Sequence, residues 1–195
     1  MAVTCVVFIL LIGFSRNFQG VHTPQDVFVG ITESILVILA VNRIADKVEG
    51  NEKVLDILTG AGLLLTAAAV IYIIYKPYPM DYVDGALLVN PQSMMNDSFK
   101  AAGYLTGFLI GSFIERHYIH YEIPFGSREL GILSCIGAGL MITWKEYIAP
   151  ATFVAWLGGH WGHFVARFLL LMFATVVWPL VIRKVCGSPA AGAEE

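Results

Sequence analysis

The stretch Val54–Tyr75, VLDILTGAGLLLTAAAVIYIIY, decides the fold: it is long enough to cross a bilayer as a helix and holds one charge, Asp56. Crossing the hydrocarbon core takes about 20 apolar residues in helical conformation. Working outward, Val27–Val41 precedes it, and Phe99–Ile114, Leu130–Tyr147 and Phe164–Val185 follow, each apolar enough to read as a further span or nearly so. Ala2–Phe14 is apolar but short, like a spanning helix without its first turns. The expectation is an all-α fold, a polytopic transmembrane bundle of about six helices.

Composition agrees. Of 195 residues, 57% are hydrophobic and 14% are charged. Soluble domains carry about 25% charged residues. A chain this poor in charge leaves part of its surface to lipid, so membrane lipids are expected partners. A net charge of -3 offers no basis for nucleic-acid binding. Cys5, Cys135 and Cys186 are scattered through apolar runs without metal-type spacing, which reads as packed thiols.

Lys and Arg concentrate in cytoplasmic loops. With the N-terminus inside, seven cations fall on inner segments (Arg43, Lys47, Lys53, Arg116, Arg128, Arg183, Lys184) and four on outer ones (Arg16, Lys76, Lys100, Lys145). That split predicts both termini in the cytoplasm and puts Ser15–Asp26 on the outer face of the cell membrane. Asn42–Lys53 reads as a solvated connector and Lys76–Asp97 as the longest loop. Thr23-Pro24 is a helix start, with Thr23 as N-cap and Pro24 in the first turn. Gly103, Gly107 and Gly111, four apart, form a small-xxx-small face for close helix packing. Gly187–Glu195 reads as a disordered tail.

Ser15-Arg16, then His22, then Asp26 make the pattern SRNFQGVHTPQD, residues 15–26. A guanidinium matches a phosphate with two parallel donors and stays charged. An imidazole just before a helix N-terminus stands where free N–H groups and the dipole favour an anion. Asp26 is also a candidate for the third-position carboxylate of a capping box begun by Thr23.

The pattern resembles the third motif, SRxxxxxHxxxD, of the type 2 phosphatidic acid phosphatase family, and Gly20 and Gly30 accompany it as they do there. The resemblance covers residues 1–45. A looser likeness runs on through Gly103–Glu122, GYLTGFLIGSFIERHYIHYE, which is similar to the glycine-rich helix and charged exit of a bacterial subgroup. It implies a hydrolase acting on a lipid phosphate or pyrophosphate, without metal or other cofactor. His22 would be the nucleophile that becomes phosphohistidine, Asp26 the carboxylate that orients it, and Ser15 and Arg16 the phosphate-binding pair. Residues 1–45 would then be the C-terminal part of a phosphatase-type domain and 46–186 additional membrane helices.

The family's two earlier motifs, KxxxxxxRP and PSGH, do not occur. The second supplies the histidine that protonates the leaving oxygen, and general acid catalysis is worth about 10²- to 10⁴-fold. The isolated chain is therefore expected to be a very poor catalyst. A partner chain or a preceding N-terminal segment would have to bring the missing motifs. The alternative is a non-catalytic membrane protein: a degenerate paralogue, scaffold or transporter component.

Three further features stand outside the motif. His117/His120 and His160/His163 are spaced three apart, within reach of a metal on one helix face, or they are interfacial histidines. Glu33 is an ionisable residue inside an apolar segment, either functional or simply solvated.

Overall fold

The computed structural model describes residues 2–20, 23–48, 50–78, 80, 82–83, 85–87, 90–121 and 128–186, with side chains from residue 6 onward except Val83 and Ala86. His22, Cys5 as a side chain, Asp81, Asp84, Glu122 and the tail Gly187–Glu195 lie outside the described residues. The fold is all-α, and the described residues form six helices: α1 Ala2–Phe18, α2 Pro24–Val48, α3 Glu52–Tyr75, α4 Pro91–Ile114, α5 Arg128–Leu157 and α6 Gly159–Cys186. A two-residue hairpin, β1 Tyr82–Val83 against β2 Ala86–Leu87, decorates the α3–α4 connection and turns at Gly85, φ 81°. Among the described residues four helices, α2, α3, α5 and α6, are long and apolar enough to cross a membrane, which marks the chain as a membrane protein.

The helices outrun the spans read from hydropathy, and the reason is local chemistry. α1 does not stop at Phe14. Ser15 and Arg16 lie on its last turns, where the Gln19 N–H donates to the Ser15 carbonyl at 3.0 Å. Gly20, at φ 68°, then leaves the helical region. The expected connector Asn42–Lys53 is mostly helix: α2 runs to Val48, and Gly50 at φ 75° is followed by Asn51, whose Oδ1 caps α3 by accepting from Val54 N. The expected loop Lys76–Asp97 loses its last third to α4. Asn90 accepts hydrogen bonds from the N–H groups of Gln92 and Ser93 with Pro91 at the first position, so the helix starts two turns before its apolar part. Hydropathy marks the part of a helix that meets lipid; capping residues mark where it begins.

α5 and α6 each pass through a proline. Pro150 and Pro179 each follow a five-residue π-helical stretch, Trp144–Ile148 and Phe173–Val177. A proline inside a helix clashes with the carbonyl four residues back and offers no N–H. Widening to i→i+5 pairing relieves that conflict, as in the Ala149 N–H bond to the Trp144 carbonyl. The chain reverses only at Gly158, φ 74° and ψ 150°, conditions that favour glycine.

The chain divides into two compact units, Met1–Leu55 and Asp56–Glu195. In the first, α1 and α2 form an antiparallel hairpin in which Gly13 faces Val27 and Ile31; a Cβ on Gly13 would stand 2.9 Å from Val27 Cγ1. In the second, α4 and α6 run parallel and very close. Gly103, Gly107 and Gly111 face Phe164, Phe168 and Thr175 in the same order, and a Cβ on Gly107 would reach within 2.6 Å of the Phe168 carbonyl oxygen. Any larger side chain on that α4 face would push the backbones apart, so the expected glycine face is the packing surface. α5 returns antiparallel to α6: Gly137 meets Trp178, the Trp144 indole donates to the Ala166 carbonyl at 3.0 Å, and Gly162 meets Phe153. Phe99 is fully buried and centres the core with Val70 and Ala102, flanked by Ile73, Met95 and Phe164.

Candidate active site

The α1–α2 hairpin carries three of the four motif residues into the described structure. α2 begins with a reciprocal cap. The Thr23 N–H donates to Asp26 Oδ2 at 2.8 Å, and the Asp26 N–H donates to Thr23 Oγ1 at 3.3 Å. This is the capping box that Thr23-Pro24-Gln25-Asp26 spells, and it gives Asp26 a structural duty whatever else it does. A carboxylate in the first turn also suits the positive end of the helix dipole.

Between the two helices lies a cavity of about 720 Å³. Arg16 and Asp26 are its charged lining groups; the walls are otherwise mostly apolar, from Val6 and Ile9 on α1 to Ile31 and Ile38 on α2. Both charged residues are exposed. Ser15 is half-buried and off that lining, with its hydroxyl 3.5 Å from Gln19 Nε2. The structure thus brings Arg16 and Asp26 to one cavity and turns Ser15 elsewhere. Glu33 faces a different groove of α2, among Phe28, Val29, Thr32, Leu36 and Val37, and does not line the Arg16–Asp26 cavity.

The larger unit holds a second polar cluster that the sequence did not reveal as one. Arg116, on the π-helical turn Glu115–Ile119 that continues α4, donates from one Nη to Asp56 at 3.2 Å and to Thr59 at 3.3 Å. His117 Nε2 lies 3.3 Å from the other Asp56 oxygen, its Nδ1 is 3.1 Å from the Phe113 carbonyl, and its ring stacks on Phe113 at 4.3 Å. The cluster ties the start of α3 to the end of α4. Its one legible signal was the lone carboxylate Asp56 in an apolar run. Beyond it, His120 adopts φ 49° and Tyr121 N donates to Glu115 Oε1. Burial, with Cys186 as the lesser cause, holds the Tyr121 phenol above its ordinary range.

One histidine of each pair, His117 and His160, is held by protein partners. His160 Nδ1 lies 2.8 Å from Asn96 Oδ1 and its Nε2 lies 3.1 Å from Gln92 Nε2. Each ring nitrogen is thus met by an amide side chain from α4. Among the described residues no three His, Cys, Asp or Glu side chains gather in a metal-binding arrangement. Compared with protein-family models, curated proteins and solved structures, the chain matches none.

Proposed function

We infer that the chain carries the nucleophile half of a membrane phosphatase site, acting on a lipid phosphate or pyrophosphate at the outer face. What supports the reading is the spacing Ser15-Arg16, His22, Asp26, together with a cavity lined by Arg16 and Asp26 and otherwise walled mainly by apolar side chains. Arg16 would hold two phosphate oxygens. A His22 ring nitrogen would bond to phosphorus as the ester or anhydride P–O bond breaks, and water would then release inorganic phosphate from the phosphohistidine. Asp26 would orient the ring from the other nitrogen. The proton for the leaving oxygen must come from a group supplied by a partner chain or a preceding segment, so the isolated chain is proposed to be inactive. Both termini are proposed to be cytoplasmic.

The test compares phosphate release from phosphatidic acid and a polyprenyl pyrophosphate by the purified chain and by His22→Ala. The expected result is equal, background-level release. When helices carrying PSGH and KxxxxxxRP are co-expressed, release that requires His22 is expected. Turnover that ignores His22 in both settings would discard the phosphatase reading, and robust His22-dependent turnover by the isolated chain would discard the missing-acid argument.

A second reading, a non-catalytic membrane protein, is favoured by one observation: the Asp26 carboxylate closes a capping box and so has a structural reason to be there.

A further inference from the structure

A polar ladder runs down the parallel α4–α6 interface, remote in sequence from the motif. Its rungs are Gln92 and Asn96 on His160 at the helix N-termini, and Tyr104 on Arg167 further in. Lys100, one turn from both Asn96 and Tyr104, occupies the level between them, and His163 stands one turn before Arg167 on α6. The ionisable groups that act on His163 are Lys100, Arg167, Asp97 and His160.

Arg167 is the anomaly. Its side chain is 9% exposed, and one Nη has no hydrogen-bond partner among the described residues. The guanidinium carbon lies 5.7 Å from the Tyr104 ring centroid. That contact gives the cation no hydrogen-bond acceptor and leaves the one Nη unanswered. A cation–π contact is worth about 0.5–2 kcal/mol, whereas an ion buried without compensation costs several. Side chains on a helix lean toward its N-terminus, which carries the Arg167 side chain toward the level of His163 one turn back. Lys100 is still 31% exposed, and its carboxylate partner Asp97, at 2.8 Å, is itself 67% exposed and readily exchanged.

We propose that Arg167, Lys100 and His163 form an anion site between the N-terminal halves of α4 and α6, taking a phosphate-type oxyanion. The unpartnered Nη donates to one oxygen, Lys100 closes from the exposed side, and His163 donates one further hydrogen bond. The same headgroup chemistry is offered by free phosphate and by an anionic phospholipid.

The test uses the full chain with Arg16→Gln, so that phosphate bound at the motif is not counted. Thermal unfolding is followed in zwitterionic nanodiscs against inorganic phosphate at constant ionic strength, and in nanodiscs containing phosphatidic acid. The expected result is saturable stabilisation, lost or weakened about tenfold or more by Arg167→Gln and by Lys100→Gln, the scale of a lost charge-assisted bond. Response to phosphate assigns a free anion; response to phosphatidic acid alone assigns a lipid headgroup. If Arg167→Gln does not fold, Lys100→Gln decides. Absence of saturable stabilisation by either probe, or stabilisation that Lys100→Gln leaves intact, overturns the site.

Discussion

Asp26 and Thr23 hold each other: the carboxylate accepts the Thr23 N–H at 2.8 Å and the Asp26 N–H reaches the Thr23 hydroxyl at 3.3 Å. Thr23→Ala removes one half of this cap and is expected to lower stability by about 1 kcal/mol, read as a fall in the unfolding midpoint in detergent. Asp26→Asn separates the two roles open to the residue. An amide oxygen still caps, so stability should move by less than about 1 kcal/mol. His22-dependent phosphate release in the complemented assay should nevertheless fall by about tenfold or more if the carboxylate steadies the imidazole. Unchanged release would leave Asp26 as a cap alone.

The parallel α4–α6 pair tolerates no side chain on its glycine face. Gly107→Ala would put a Cβ 2.6 Å from the Phe168 carbonyl oxygen and is expected to cost about 1–3 kcal/mol. Gly60→Ala, on α3 with nothing within 4 Å of the new methyl group, is the contrasting substitution. It is expected to be neutral or stabilising by about 0.5–1 kcal/mol. Equal midpoints for the two variants would refute the close packing.

Asp56 couples to Arg116 across a separation of 60 residues. A double-mutant cycle with Asp56→Asn and Arg116→Gln is expected to return a coupling of about 1 kcal/mol, above the usual exposed pair because both partners are half-buried. The coupling should shrink only slightly between low and high salt. Strictly additive losses would show that the ion pair contributes nothing to holding the α3 start on the α4 end.

The proposed orientation is checked by cysteine labelling. In a background with Cys5, Cys135 and Cys186 replaced by serine, Gln19→Cys should react with an impermeant maleimide added outside intact cells, and Lys47→Cys only after lysis. The opposite pattern would invert the chain and put the motif on the cytoplasmic face.

The start of α2 was legible because Thr23-Pro24-Gln25-Asp26 states a cap in consecutive residues, and the α4–α6 contact because three glycines repeat every four. Asn90-Pro91 uses the same capping chemistry, yet the reading by hydropathy started α4 near Phe99, since the two polar turns between them carry no apolar signal. The hydropathy reading ended its span at Tyr147, and sequence alone does not say that a π-helical turn carries the helix on through Pro150. Of the candidate site, Arg16 and Asp26 came from motif spacing, which also predicted that Ser15 would join them; the extension of α1 to Phe18 instead leaves Ser15 off the cavity lining. Of the Asp56–Arg116–His117 cluster only the carboxylate in an apolar run was legible, since nothing in the spacing of the three residues announces a meeting between one helix start and another helix end.

A turn made by Gly158 alone leaves almost no soluble loop between two long helices. During biosynthesis the pair has little hydrophilic cargo to move across the bilayer at that point, so α5 and α6 are suited to enter lipid together as one folded hairpin. Lengthening the turn with polar residues would change the route of insertion before it changed any contact in the finished protein.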